Sequence, residues 1–129
     1  MSKALNKILL VDDEADIREV ATMALELTGG FEIITCENGQ QALDRVADIN
    51  PDLILLDVMM PLLDGPSTLK QLTEKQLVDH IPVVFMTAKV QPREVTEYRA
   101  LGAADVIAKP FDPMQLADQI KQIWEVHQP

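Results

Sequence analysis

Leu53-Ile54-Leu55-Leu56-Asp57-Val58-Met59-Met60-Pro61 is the stretch that decides the fold: an apolar, strand-like run that closes on a carboxylate. Three further runs have the same form. Ile8-Leu9-Leu10-Val11 closes on Asp12-Asp13, Val83-Val84-Phe85-Met86 on Thr87-Ala88, and Val106-Ile107-Ala108 on Lys109-Pro110. Four strand-like runs thus deliver carboxylates, a hydroxyl and an ammonium at their carboxyl ends. In an open parallel sheet those ends share one rim, and ligands bind there.

Helical patterns fill the intervals. After Asp13, Ile17, Ala21, Ala24 and Thr28 fall on one face with Val20, Met23 and Leu27 beside it, and Gly29-Gly30 ends the pattern. Phe31 to Thr35 alternates more than the other strands, which suits an edge position. Asn38-Gly39-Gln40-Gln41 has the form of an N-cap with a capping box, opening a helix through Ala42, Leu43, Val46 and Ala47 that Asn50-Pro51 stops. Asp64-Gly65-Pro66 starts a helix continued by Leu69, Leu72 and Gln76. Pro92 opens one carrying Val95, Tyr98 and Leu101 and ended by Gly102, and Asp112-Pro113 supplies the N-cap and first residue of the last, whose apolar face is Leu116, Ile120, Ile123 and Trp124. Strands alternating with helices imply right-handed crossovers and helices on both faces. The predicted fold class is α/β: a five-stranded parallel sheet, doubly wound as (βα)5 in the flavodoxin-like order 2-1-3-4-5. The switch point then lies between the strands ending at Val11 and Leu56, beside Asp12, Asp13 and Asp57.

Composition narrows the function. A chain of 129 residues with 47% hydrophobic content has the size and apolar content of one globular domain. A net charge of −10 opposes direct binding of nucleic acid or of an anionic membrane surface. Cys36 stands alone, so no internal disulfide forms. No signal peptide is recognisable, and no run approaches the roughly 20 apolar residues of a membrane span. The expectation is a cytoplasmic protein with a single domain over residues 1–129 and no output domain.

Three carboxylates at one rim repel one another unless a positive group joins them. A hard divalent cation that prefers oxygen resolves this, and Mg2+ suits one or two carboxylates plus a phosphate oxygen. Asp57, on the central strand, is the candidate nucleophile, since carboxylates form acyl phosphates in covalent catalysis. Lys109 offers charge compensation, Thr87 a hydroxyl donor, and the loop around Ala88 backbone N–H groups. Each residue singly has an ordinary explanation: Asp13 as a turn or cap residue, Thr87 as a strand-end threonine, Lys109 as a solvated lysine. The functional reading rests on all of them meeting at one edge of one sheet.

Asp12-Asp13, the segment Leu56-Asp57-Val58-Met59-Met60-Pro61-Leu62-Leu63-Asp64-Gly65, Thr87-Ala88, and Gly102-Ala103 through Lys109-Pro110-Phe111 together resemble the receiver domain of bacterial response regulators, from about Lys7 to the end of the chain. The resemblance implies that Asp57 accepts a phosphoryl group from a histidine kinase or histidine phosphotransfer protein. It also implies that the domain switches the binding of an output protein and slowly dephosphorylates itself, without being an enzyme in any wider sense. It implies Mg2+ held by Asp12, Asp13, Asp57 and the backbone carbonyl of Met59, phosphoryl contacts from Thr87 and Lys109, a switch region of Thr87, Ala88 and Val106, and a cis Lys109–Pro110 bond. One position departs from the family. Val106 stands where Tyr or Phe is common, so no ring can rotate inward there, and the expectation is a less complete switch. Met59 and Lys89 occupy positions that tune phosphoryl lifetime in the family.

Other residues read as structural: Trp124 as core, Tyr98 and Phe111 as partial core with a partner-facing surface as the alternative, His80 as loop, His127 as helix-end surface, and the six methionines mostly as core filler. Competing functions are weaker. A Mg2+-dependent phosphohydrolase lacks an acid at Met59 and an insert to enclose substrate. A constitutive scaffold leaves the acidic set unexplained, and Asp12-Asp13-Glu14 would repel a flavin phosphate.

Overall fold

The computed structural model describes residues 4–127. Five strands alternate with five helices: β1 (Lys7–Val11), α1 (Ala15–Gly29), β2 (Glu32–Cys36), α2 (Gly39–Ile49), β3 (Leu53–Asp57), α3 (Gly65–Glu74), β4 (Val83–Thr87), α4 (Pro92–Ala100), β5 (Asp105–Ala108) and α5 (Leu116–His127). All strand pairs are parallel, in the order β2-β1-β3-β4-β5. The predicted architecture and strand order are both found. β3 and β4 are buried along their whole length, as continuous apolar runs require, while β2 at the edge is mostly half-exposed.

Successive side chains on a strand alternate between the faces of the sheet, so each strand feeds two cores. Ile8, Leu10, Leu53, Leu55, Val84, Met86 and Ile107 face α1 and α5, where Ala21, Leu25, Leu116, Ile120, Ile123 and Trp124 meet them. Leu9, Val11, Ile54, Leu56, Val83 and Phe85 face the other way, toward α2 and α3, with Tyr98 of α4 and Val106 packed on that cluster. Trp124 and Phe111 belong to the first core, as their sequence context predicts. Tyr98 packs edge-on against Phe85, with ring centroids 5.3 Å apart and planes at 89°. Such a pair adds about 0.5–1.5 kcal/mol beyond area burial.

Several local expectations need correction. In α1 the buried residues are Ala21, Ala24 and Leu25, whereas Val20, Met23, Leu27 and Thr28 are exposed. Small alanines let α1 lie close along α5, and the inward stripe is therefore narrower than the apolar pattern. Gly29 completes the helix, and Gly30 caps it at φ 70°. Asn38 Oδ1 accepts the Gln41 N–H at 2.8 Å, but Gln41 Oε1 accepts from Glu37 N–H rather than closing a capping box on Asn38. Ala47 is exposed, and Gln76 lies beyond α3 at φ 56°. Leu101 is exposed just past α4. Asp112 organises a turn instead of capping regular helix: its Oδ1 accepts from Met114 N–H and its carbonyl from Gln115 and Leu116, so α5 begins at Leu116. Of the described methionines only Met60 and Met86 are buried, while Met23, Met59 and Met114 are exposed. His80 is an exposed loop residue at φ 70°, and His127 is exposed at the end of α5.

Among the described residues no helix is long and apolar enough to cross a membrane. Gly39 opens α2 where it crosses α3, and a Cβ there would overlap the Thr68 hydroxyl and lie 3.0 Å from Leu63 Cδ2. Thr68 cannot turn away freely, because it is buried and its hydroxyl donates to the Asp64 carbonyl at 2.8 Å. Gly39→Ala is therefore expected to cost about 1–3 kcal/mol in urea unfolding, through overpacking. An unchanged midpoint would show that the two helices separate without strain.

Candidate functional site

Strand parity builds the site. Asp12 continues the Ile8, Leu10 face of β1, Asp57 the Leu53, Leu55 face of β3, and Lys109 the Ile107 face of β5, so all three point to the α1/α5 side of the rim. β1 and β3 are neighbours with Val11 opposite Leu56, which sets Asp12 beside Asp57. Asp12 and Asp57 are 0% and 2% exposed. Lys109 reaches across with its side chain 14% exposed, and its Nζ lies 2.9 Å from Asp12 Oδ2 and 3.3 Å from Asp57 Oδ1. The Lys109–Pro110 peptide is cis, and Lys109 N–H donates to the Thr87 carbonyl at 2.9 Å, fixing the lysine against β4.

Carboxylate oxygens of Asp12, Asp13 and Asp57 all lie within 4.8 Å of one another, with Asp13 exposed at the mouth. Among the described residues Asp57 Oδ2 has no hydrogen-bond partner although it is buried. A buried carboxylate oxygen without a partner, beside two more carboxylates, fits a hard divalent cation. Thr87 is 2% exposed, and its Oγ1 accepts the Lys89 N–H at 3.1 Å, which leaves the hydroxyl hydrogen free to donate elsewhere. Ala88 is exposed at the rim. The Met59 side chain points to solvent. Val106 is half-buried opposite Phe85 in the β4–β5 register, on the face away from Asp57.

Three neighbours carry no signal in the sequence strong enough to mark them. Glu14 Oε1 stands 3.5 Å from Lys109 Nζ. Arg18, one turn into α1, donates from Nη1 to the Asp12 carbonyl at 2.8 Å and lies 3.8 Å from Glu37, bracing the acidic loop. Gly65 is legible as a turn residue, but its main constraint is a close approach: a Cβ there would lie 2.5 Å from the Asp57 carbonyl and 2.9 Å from Val58 Cα. Such tertiary proximity between residues eight apart leaves no local pattern.

The electrostatics follow from burial. Desolvation pushes the Asp57 carboxyl up from its ordinary 3.8 to about 6, the Asp12 carboxylate pushes it the same way, and Lys109 and then the Met59 N–H pull it back. For Lys109, burial pulls down, but Asp12 and Asp57 outweigh it and hold the ammonium above its usual value.

A doubly wound parallel sheet with buried carboxylates and a lysine at its switch-point rim is a CheY-like α/β domain. The sequence matches the response regulator receiver domain over residues 8–121, and the chain belongs to that family. It is 41% identical over 116 residues to the phosphate regulon transcriptional regulatory protein PhoB of Pseudomonas aeruginosa, covering 90% of this chain and 50% of that protein. It is 39% identical over 117 residues to the alkaline phosphatase synthesis transcriptional regulatory protein PhoP of Bacillus subtilis, covering 91% and 48%. The chain thus spans about half the length of these relatives. Among solved structures, chemotaxis protein CheY4 of Vibrio cholerae superposes with a TM-score of 0.84 at 29% identity, covering 93% of this chain and 99% of that one.

Because the folded protein holds the Asp57 proton more tightly than the unfolded chain, the carboxyl costs no stability below about pH 4. That cost grows as pH rises from about 4 to about 6 and is constant above. Asp57→Asn is expected to stabilise the metal-free protein by on the order of 1–3 kcal/mol at about pH 7.5, shrinking toward zero near pH 4. Thermal unfolding across this range checks it. A variant no more stable than wild type at neutral pH would contradict the burial cost.

Proposed function

We propose that the chain acts as one receiver unit that takes a phosphoryl group onto Asp57 from the phosphohistidine of a histidine kinase or phosphotransfer protein and changes its affinity for a protein partner. The observation that carries this reading is the buried Asp57 carboxylate, with one oxygen 3.3 Å from Lys109 Nζ and the other without a partner. An Asp57 oxygen attacks phosphorus. The P–N bond to the donor imidazole breaks, its electron pair returns to the ring nitrogen, and that nitrogen takes a proton. Water later cleaves the acyl phosphate, releasing inorganic phosphate and regenerating the carboxylate, which is slow self-dephosphorylation and not turnover of an external substrate.

Each neighbour has a role in this reading. Lys109 supplies positive charge to the phosphoryl oxygens, and the Thr87 hydroxyl, whose hydrogen is free, donates to another. Ala88, exposed at the rim, would offer its backbone N–H to a phosphoryl oxygen. Asp12, Asp13, Asp57 and the Met59 carbonyl would hold Mg2+, which supplies charge neutralisation to the phosphoryl group when bound. Thr87 lies on the same face of β4 as Phe85, against which Tyr98 of α4 packs, while Val106 carries no ring. Movement of Thr87 would therefore reach α4 through β4 packing. The net charge of −10 favours a protein partner over direct nucleic-acid contact by this unit. The transcriptional roles of PhoB and PhoP belong to proteins about twice as long.

Incubation with acetyl phosphate and Mg2+ is expected to add one labile phosphoryl group by intact mass. The adduct should be absent without a divalent ion and absent in Asp57→Asn. Lys109→Ala should form it at least about tenfold more slowly, the loss expected for one charged donor to a phosphoryl transition state. An adduct that survives in Asp57→Asn would place the acceptor elsewhere.

A further inference from the structure

Lys109 is shared by three carboxylates, and the third is unexplained by the site as built. Glu14 Oε1 lies 3.5 Å from Lys109 Nζ, beside Asp12 at 2.9 Å and Asp57 at 3.3 Å. Its backbone is not loose: the Glu14 N–H donates to Asp12 Oδ1 at 2.8 Å, which ties the residue to the acidic loop. Glu14 is the N-cap residue of α1, yet its side chain makes no capping hydrogen bond. A glutamate at that position ordinarily serves the helix N-terminus or solvent. Here the carboxylate turns to the lysine instead.

We propose that Glu14 is a positioning residue for Lys109, holding the ammonium toward the mouth of the site and competing with the phosphoryl group for it. The inference rests on the reading of Asp57 as phosphoacceptor. In a loaded site Asp12 would be drawn to the cation and Asp57 would carry the phosphoryl group, so the ion pairs both make with Lys109 would be replaced. Glu14 belongs to neither set. Among the described residues it is the one carboxylate in contact with Lys109 whose attraction would persist through the reaction. With its side chain 61% exposed, that attraction is modest and weakened by salt. Its effect is a change in how readily Lys109 turns to the phosphoryl oxygens, and so in the rate and lifetime of the adduct.

Glu14→Gln keeps the shape and removes the charge. With acetyl phosphate at low ionic strength the variant is expected to form the Asp57 adduct about two- to fivefold faster than wild type, a ratio that falls toward one in molar salt. In a Lys109→Gln background the same substitution should change nothing. Independently of phosphorylation, Glu14→Gln should displace the side-chain ammonium 15N resonance of Lys109, assigned by its loss in Lys109→Gln. An unmoved Lys109 resonance would overturn the proposal, as would an equal rate effect with and without Lys109. If neither wild type nor variant forms any adduct while the Lys109 resonance does move, the phosphoacceptor reading fails and the Glu14–Lys109 contact stands.

Discussion

Two carboxylates buried side by side with a single ammonium between them is the constraint on which the rest of the structure depends. Asp12 and Asp57 are almost wholly excluded from water, and Lys109 neutralises at most one of their charges when both are ionised. The remaining deficit appears as an Asp57 carboxyl pushed up to about 6 and as a buried oxygen with no partner. A fold optimised only for stability would not keep this arrangement, because apolar residues of similar volume generally cost less than unsatisfied buried charge. The carboxylates are crowded in a way that added positive charge would relieve.

The sheet makes that state sustainable. Uninterrupted apolar strands on both sides of the switch point, β1 and β3, give the rim a rigid base, and parallel pairing brings every strand's carboxyl end to the same edge. Alternation along the strands then sorts the rim residues. Asp12, Asp57 and Lys109 fall on the α1/α5 side, while Thr87 and Val106 fall on the side of Phe85 and Tyr98. The carboxylate–lysine cluster and the packing of Val106, Phe85 and Tyr98 thus lie on opposite faces of the sheet. Gly65 lets α3 start against the Asp57 backbone without displacing it.

The architecture was legible because hydrophobic periodicity is a local signal. The runs ending at Val11, Leu56, Met86 and Ala108 mark β1, β3, β4 and β5, and their polar terminators give the rim. The α1 stripe was not, since which of two adjacent apolar columns faces inward depends on the closeness of α5, a tertiary fact that leaves Met23 and Leu27 exposed. The start of α5 was read three residues early because Asp112 and Pro113 satisfy helix-start chemistry while actually building a turn. At the site, Asp12, Asp13, Asp57, Thr87 and Lys109 announce themselves by strand-end position, and the structure brings the carboxylates and the lysine together. Glu14 and Arg18 do not, because an exposed glutamate and a helical arginine are ordinary until their partners are known. Val106 departs from a family pattern and from no local rule, and the Phe85–Tyr98 contact beside it joins residues on different elements, which no local pattern marks.

The clustered carboxylates of Asp12, Asp13 and Asp57 fit a divalent cation. Calorimetric titration of Mg2+ into the protein at about pH 6, in two buffers of different ionisation enthalpy, tests it directly. Saturable binding that releases protons is expected, because burial raises the Asp57 carboxyl to about 6, together with loss of that release in Asp57→Asn. Absence of binding, or binding unchanged in Asp57→Asn, would contradict it.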